Sequence, residues 1–192
     1  MRFHTPRFFL TCQKGITAVE FAFIAPVLAL MMCGIVEFSI IAFVSSVLEG
    51  ATTVTARVGK TGYIAAGNTR QQQIVNSVND KTQGLLDPAK ITVSTKVYAG
   101  FEKVGQPEPC ISPVNPPCAG TPGVNFVDIN GNGQWDSDMG SAGLGNPGDV
   151  VVYTVNYPWS VMTPIISNII GTTLNLSARA VIRNEPYDTT TR

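Results

Sequence analysis

One apolar stretch constrains this chain more than any other part of the sequence. It begins after Gly15 and continues to about Leu48, with no charged residue from Phe21 to Val36 and one interruption at Glu37. A membrane-spanning helix needs about 20 apolar residues, so the stretch is long enough to cross a bilayer and to end its span near Glu37. The first 15 residues carry three basic side chains and no acid, which predicts a cytoplasmic N-terminus and an extracytoplasmic remainder.

Glu20 places a carboxylate at the mouth of this stretch, where an ordinary membrane anchor has none. An unpaired carboxylate at the edge of the hydrocarbon costs on the order of a few kcal/mol, so Glu20 requires a partner. Cleavage after Gly15 would make Ile16 the new N-terminus. Its ammonium group, in the same chain or in a neighbouring subunit, would be the counter-charge and would set the axial register of one stem helix against the next.

The residues around this carboxylate resemble a known family. Gly15 with Glu20 at the fifth position after it is similar to the processing site of type IV prepilins. The longer string from Gly15 to Leu28, with residues 34–38 and the C-terminal residues 179–187, resembles the TadE family of pseudopilins. The resemblance implies cleavage after Gly15 by a prepilin peptidase and a role as a minor pilin or pseudopilin in the biogenesis of Flp-type (tight adherence) pili.

The same resemblance implies a location and a set of partners. The chain would be a single-pass protein of the bacterial inner membrane, with a cytoplasmic N-terminus and a periplasmic head, or a subunit incorporated in an extracellular pilus. Its stem would pack against other pilins or pseudopilins. The competing hypothesis is an unprocessed membrane anchor that carries an extracytoplasmic binding or adhesion module.

Three more residues of the stem are candidates for assembly contacts beside Glu20. Phe21 adjoins that carboxylate, and Pro26, roughly 15 Å along the helix from Ile16, would kink the stem and shape its bundling, or is a harmless proline. Glu37 is roughly 25 Å beyond Glu20 and about a quarter turn away from its face. It would reach the outer headgroups or contact the stem of a partner.

Composition argues against two other classes of function. Three of the 13 basic residues and none of the 13 acidic residues lie in the leader, so the remainder carries a net charge of −3. A nucleic-acid-binding surface would need a basic patch. The only histidine is His4, in the leader, and the sequence contains neither a nucleophile beside a base nor a phosphate-binding loop. We therefore predict no enzymatic activity, no small-molecule substrate and no nucleic-acid partner.

Periodicity predicts an α+β fold, in which a long N-terminal transmembrane stem helix packs on a small antiparallel β-sheet head. The resemblance implies that this architecture is type IV pilin-like. The predicted parts are a leader over residues 1–15, a stem helix over 16–58 and a head over 59–192. Within the head, helical spacing predicts a second helix from Arg70 to Leu86, ended by Asp87 and Pro88. Alternating polarity predicts three strands, at residues 91–98, 150–157 and 172–183, with a short helical turn before the third.

A long loop over residues 99–149 separates the first two strands, and loops of this length are usually functional or disordered. Oxygen-bearing side chains recur at every second position near its end, with a glycine at the sixth position, as in calcium-binding loops. Met139 stands where such loops place a bidentate glutamate, so a neighbouring acid would substitute. The predicted structural Ca²⁺ ligands are Asp128, Asn130, Asn132, Gln134, Asp136 and Asp138. A turn cluster without metal explains the same pattern.

Two of the four cysteines, Cys110 and Cys118, lie close together in a proline-rich part of this loop. Disulfides form in extracytoplasmic compartments. If the head is outside the cytoplasm, we expect these two cysteines to form a disulfide. The alternative is a pair of free thiols on a cytosolic loop.

Overall fold

The structure, a computed structural model, describes residues 15–61, 66–82, 84–111 and 126–186. The predicted leader before Gly15, Cys118 and the end of the predicted C-terminal resemblance lie outside the described residues. The division into leader, stem and head therefore stays a prediction. The elements in chain order are α1 (Ile16–Lys60), α2 (Arg70–Thr82), β1 (Thr92–Tyr98), β2 (Ser141–Ala142), β3 (Val150–Ser160), α3 (Pro164–Ile170) and β4 (Thr173–Arg183).

The chain forms two compact units. The first contains the N-terminal part of α1 up to Ala42 and residues 160–174, and the second contains residues 43–159 and the chain from 175 onward. A long N-terminal helix and a small four-stranded sheet make up the structure, so the predicted α+β class is confirmed.

Helix α1 is 45 residues long and remains helical through Pro26. In its most apolar window only 11% of the residues are buried, and its N-terminal half exposes large apolar side chains on every face. Among the described residues it is the one helix long and apolar enough to cross a membrane. In the second unit, α1 instead has a buried face of mostly small side chains at helical spacing, formed by Val44, Leu48, Ala51, Thr52, Thr55 and Ala56.

The sheet has the strand order β2–β1–β3–β4. Strand β1 is antiparallel to β3 over its whole length, from Thr92 opposite Asn156 to Tyr98 opposite Val150. Strand β3 is the most buried strand, in agreement with its apolar start. The predicted three strands are present, and the two-residue β2 adds a fourth beside β1. So short a strand, flanked by glycines, has no alternation by which to predict it.

The second helix begins as predicted and ends earlier than predicted. Thr69 and Gln72 form a capping box, in which the Thr69 amide donates to Gln72 Oε1 at 2.8 Å and the Gln72 amide donates to Thr69 Oγ1 at 3.2 Å. The predicted end at Leu86 is wrong, because α2 stops at Thr82. Gly84 adopts φ +78°, and the amides of Leu85 and Leu86 fold back onto the Thr82 carbonyl.

The core of the second unit lies between its helices and the central strand. Ala56, Ile74, Val151 and Tyr153 are all buried there. Gly59 is part of this arrangement because a Cβ at that position would overlap the Tyr153 hydroxyl and lie 2.6 Å from its Cζ. The small residues of α1 therefore let the helix approach the sheet closely enough to enclose the tyrosine ring.

Candidate functional site

The N-terminal end of the stem helix is exposed in this structure. Helix α1 begins at Ile16, directly after Gly15, and both residues are exposed. A Cβ placed on Gly15 would meet no heavy atom within 4 Å. The peptide bond that a prepilin peptidase would cleave is therefore not covered by any described part of the chain.

Glu20 and its neighbour Phe21 are also exposed. Glu20 follows Ile16 by four residues, so the two share a helix face and are about 6 Å apart along the axis. The described residues supply no hydrogen bond or ion pair to the Glu20 carboxylate. Pro26 is exposed as well, within a surface of apolar side chains. Lipids or other helices can therefore contact all four of these predicted residues, which are Ile16, Glu20, Phe21 and Pro26.

Glu37 has a different environment, because its side chain is only 1% exposed. Its carboxylate accepts hydrogen bonds from the Met162 amide at 3.1 Å and from the Thr163 amide and hydroxyl at 3.1 and 2.9 Å. These donors precede α3 in the same unit. Glu37 therefore holds a segment of its own chain against α1, a role that the sequence did not indicate.

The loop that resembles calcium-binding loops, residues 128–138, is held by a second buried carboxylate, Glu108, which is 2% exposed. Glu108 Oε1 accepts the amides of Ile129 and Asn130 at 2.8 and 3.3 Å, and Oε2 accepts the Asp136 amide at 3.1 Å. Its backbone carbonyl accepts the indole N–H of Trp135 at 2.9 Å. Residues 106–110 and 126–139 are therefore held together as two arms of one folded loop.

Three of the predicted calcium ligands converge. The side-chain amides of Asn130 and Asn132 each donate to Asp136 Oδ2 at 2.6 Å. The Oδ1 atoms of the same two side chains accept backbone amides, Asn130 Oδ1 from Asn132 at 3.1 Å and Asn132 Oδ1 from Gln134 at 2.7 Å, so the hydrogen-bond network directs their NH₂ groups, and not their oxygens, at Asp136. The carboxylate of Asp128 instead accepts the amides of Gly131 and Gly133 at 2.6 and 2.8 Å, which closes the tight turn.

The other two predicted ligands lie differently. Gln134 is exposed, and its backbone N–H donates to Asn132 Oδ1 at 2.7 Å. Asp138 accepts hydrogen bonds from the Lys96 ammonium at 2.7 Å and from the Tyr98 hydroxyl at 2.8 Å. A cavity of about 320 Å³ is lined by the three converging residues and by Asp138 and Lys96, but not by Gln134. Within the described ranges, no cluster of three or more His, Cys, Asp or Glu side chains is placed to hold a metal.

The Asp138 contacts change two pKa values. Burial opposes ionisation of Asp138, but the hydrogen bonds from Lys96, Tyr98 and the Gly140 amide outweigh it and lower the pKa of this carboxyl below its ordinary 3.8. Burial, together with the hydrogen bond to the Asp138 carboxylate and its charge, raises the pKa of Tyr98 to about 12. At neutral pH, Asp138 is therefore ionised and already paired with a cation of the protein.

Of the two cysteines of the predicted disulfide, the structure describes only Cys110. Cys110 pairs through its backbone with Phe126 as an isolated antiparallel bridge, so the two arms close at this point. Cys118 lies outside the described residues, and its pairing with Cys110 stays a prediction.

Comparison with known proteins identifies the helix that carries these features. Residues 15–57 match the model of a family described as TadE-like protein. The stem of this chain is TadE-like. The match begins at the glycine before the predicted cleavage site and ends inside α1, so it covers none of the sheet. No curated protein and no solved structure matches the chain.

The family match confirms the resemblance that the sequence shows around Gly15 and Glu20, and a TadE-like stem indicates a pilus-related function. The match does not extend to the hydrogen-bond donors of the two buried carboxylates Glu37 and Glu108, which lie in residues 129–163. The sequence shows only that Glu37 lies in an apolar stretch and Glu108 in a proline-rich one. Their structural roles depend on hydrogen-bond donors that are distant in the sequence, so local patterns do not predict these roles.

Proposed function

We propose that this protein is a minor pilin or pseudopilin of Flp-type pili that is cleaved after Gly15 and packs by its stem against other pilins. The observation that carries the proposal is the coincidence of the TadE-like match at residues 15–57 with a helix that begins at Ile16. The exposed Gly15 supports access by a prepilin peptidase. The apolar length of α1 supports a place in the inner membrane, with the head on the periplasmic side.

The exposed Glu20 supports the mode of packing. Cleavage would create an ammonium group at Ile16 of each subunit. An ammonium and a carboxylate at 4 Å attract each other by about 4 kcal/mol where the effective dielectric constant is near 20. The surrounding surface is apolar and allows neighbouring stems to slide along each other. One charge pair per contact would then fix the axial register.

Processing distinguishes this function from that of an unprocessed membrane-anchored binding module. N-terminal sequencing and intact mass of the protein from its native membrane are expected to give a chain that begins at Ile16. The same protein expressed without a prepilin peptidase provides the control and should begin at Met1. A chain that keeps Met1 in its native membrane would rule out the processed pilin.

Glu20→Ala tests the packing. We expect this variant to enter the membrane normally but to be lost from pili or from cross-linked complexes with other pilins. Glu49→Ala removes another exposed carboxylate of α1, outside the membrane-length half, and should assemble normally. Equal assembly of both variants would contradict the register argument.

We also propose that residues 128–138 bind Ca²⁺ as a structural ion. The convergence of Asn130, Asn132 and Asp136 supports this proposal, because carboxylate and amide oxygens are ligands that calcium prefers. To bind the ion, the two asparagine oxygens would exchange their backbone hydrogen bonds for it. Binding to the folded state alone raises stability as the free ion concentration exceeds its Kd. We expect millimolar Ca²⁺, but not Mg²⁺, to raise the Tm of the full chain in detergent.

Asp136→Asn should abolish this calcium response, whereas Asp80→Asn, which changes an exposed acid of α2, should preserve it. A Tm that does not change with millimolar Ca²⁺ would favour the turn cluster without metal.

A further inference from the structure

Residues 161–170, called the docked segment here, expose large apolar side chains. Met162, Ile165 and Ile169 are 67%, 57% and 68% exposed. The sequence around them is uncharged over a long distance, with no acidic or basic residue between Asp149 and Arg179. A water-facing turn of a soluble head usually carries charged or polar side chains in these positions. The composition of the docked segment therefore suits an apolar neighbour.

The docked segment is attached to the stem at two points. Ile166, on its opposite side, is 6% exposed, and its Cδ1 lies 3.9 Å from where a Cβ on Gly34 would be. One turn further along α1, Glu37 accepts the three hydrogen bonds from Met162 and Thr163. These contacts leave one side of the docked segment against α1 and the other side, with its three apolar side chains, outward.

The attachment point has a definite depth if α1 spans the membrane. Glu37 lies 21 residues after Ile16, which is about 32 Å at helical rise, and the hydrocarbon core is about 30 Å thick. Ile35, Val36 and Phe38 beside it are exposed and apolar, so the lipid-facing surface of α1 continues to this level. The docked segment is therefore held where the hydrocarbon ends and the outer headgroups begin.

We propose that the docked segment is a second membrane contact of this protein, which places Met162, Ile165 and Ile169 in the outer interface of the bilayer. Apolar side chains on one side of a short helical segment, at the boundary between headgroups and acyl chains, are the arrangement of interfacial membrane contacts. Glu37 is the positioning residue, because its hydrogen bonds fix the segment at this level. The inference rests on the membrane placement of α1 proposed above.

The depth of the docked segment can be measured on the full chain in vesicles of phosphatidylethanolamine and phosphatidylglycerol. A nitroxide is attached at Ile165→Cys, in a background in which Cys12 and Cys33 are replaced by serine. Its collision rates with oxygen, which enters lipid, and with a water-soluble nickel complex report its surroundings. Met31→Cys in the span and Val181→Cys on β4 are the lipid and water controls, since both native residues are exposed. The background without an added cysteine reports labelling at Cys110 and Cys118.

We expect the oxygen-to-nickel ratio at residue 165 to be several-fold higher than at residue 181 and lower than at residue 31. A ratio at residue 165 equal to that at 181, with residue 31 in lipid, would overturn the interfacial contact alone. A low ratio at residue 31 would instead contradict the membrane placement. Shielding of residue 165 from both reagents that is relieved by diluting the protein in lipid would identify a second copy of the chain as the neighbour and would also overturn the proposal.

Glu37→Ala and Glu37→Gln test the positioning role. Alanine removes all three hydrogen bonds, and glutamine keeps an oxygen for only part of them. We expect the ratio at residue 165 to fall several-fold toward the water value in the alanine variant and less in the glutamine variant, while the ratio at residue 31 is unchanged. An unchanged ratio at residue 165 in both variants would show that Glu37 does not set the depth.

Discussion

Replacement of Glu108 by glutamine is expected to loosen the folded loop without removing its shape. The buried carboxylate accepts three backbone amides, two on Oε1 and one on Oε2. In either orientation the new NH₂ group faces at least one of these N–H donors, so at least one hydrogen bond to a charged acceptor is lost. Such bonds contribute about 1.5–3 kcal/mol, and we expect the opening free energy of the loop to fall by about 2 kcal/mol.

Hydrogen exchange of the full chain in detergent measures this opening directly. Because 1.4 kcal/mol corresponds to a factor of ten, the amides of Ile129, Asn130 and Asp136 should exchange roughly 30-fold faster in Glu108→Gln. Peptides from α2 and β3 should keep their protection, since the change is local. The matched control is Glu102→Gln, which alters an exposed carboxylate in the same part of the chain and should leave exchange unchanged.

The result that would refute the reasoning is equal protection of these three amides in the two variants. It would mean that the backbone pairing of the two arms, such as the Glu108 amide to the Asp136 carbonyl at 3.0 Å, holds the loop without the carboxylate. Uniformly faster exchange over the whole head would contradict the local role in another way, by showing that Glu108 stabilises the entire unit.

Two further predictions concern the packing and the pH dependence of the head. Gly59→Ala should lower the free energy of unfolding by about 1–3 kcal/mol, because the new Cβ overlaps the buried Tyr153 ring. Gly50→Ala, in an open part of α1, is the control and should raise it by up to about 1 kcal/mol. Thermal denaturation in detergent measures both variants, and equal Tm values would contradict the overlap. The lowered pKa of Asp138 means that its ionised form stabilises the folded state above pH 3.8, the ordinary value, and that this stability is lost as the pH falls through the lowered pKa. Asp138→Asn should therefore lower the Tm at neutral pH and converge with the unaltered protein in acid, and a pH-independent difference would contradict this assignment.

The long helix and the main strands could be predicted because their patterns are local. Each of these elements has a pattern within its own residues: the apolar length of α1, the Thr69 cap of α2 and the alternation of β1 and β4. The end of α2 was mispredicted because Gly84 competes with the helical spacing that continues to Leu86. The sequence contains both signals, and the glycine prevails because it adopts the left-handed conformation that ends the helix.

The buried face of α1 in the second unit shows a subtler limit. Val54 is 38% exposed although it is apolar, while the polar residues Thr52 and Thr55 are buried. The threonines lie on the face of Leu48 and Ala51, and Thr52 satisfies its hydroxyl by donating to the Leu48 carbonyl at 2.7 Å. The closeness of the sheet selects small side chains on this face, and that closeness is a property of the tertiary structure.

The two carboxylates of the apolar half of α1 differ in whether their partners lie in the same chain. The sequence predicts a contact site at Glu20 but does not predict the internal hydrogen bonds of Glu37. If α1 spans the membrane as proposed, both Glu20 and Glu37 place a charge beside hydrocarbon, so each needs donors or a counter-charge. Glu37 acquires its donors within the chain, from residues 125 and 126 positions away, and transferring it to a neighbouring subunit would require breaking all three bonds. Glu20 has no such partner among the described residues. If the chain assembles with other pilins as proposed, we expect Glu20 to be the carboxylate that gains by association, because the hydrogen bonds of Glu37 are already formed within the chain.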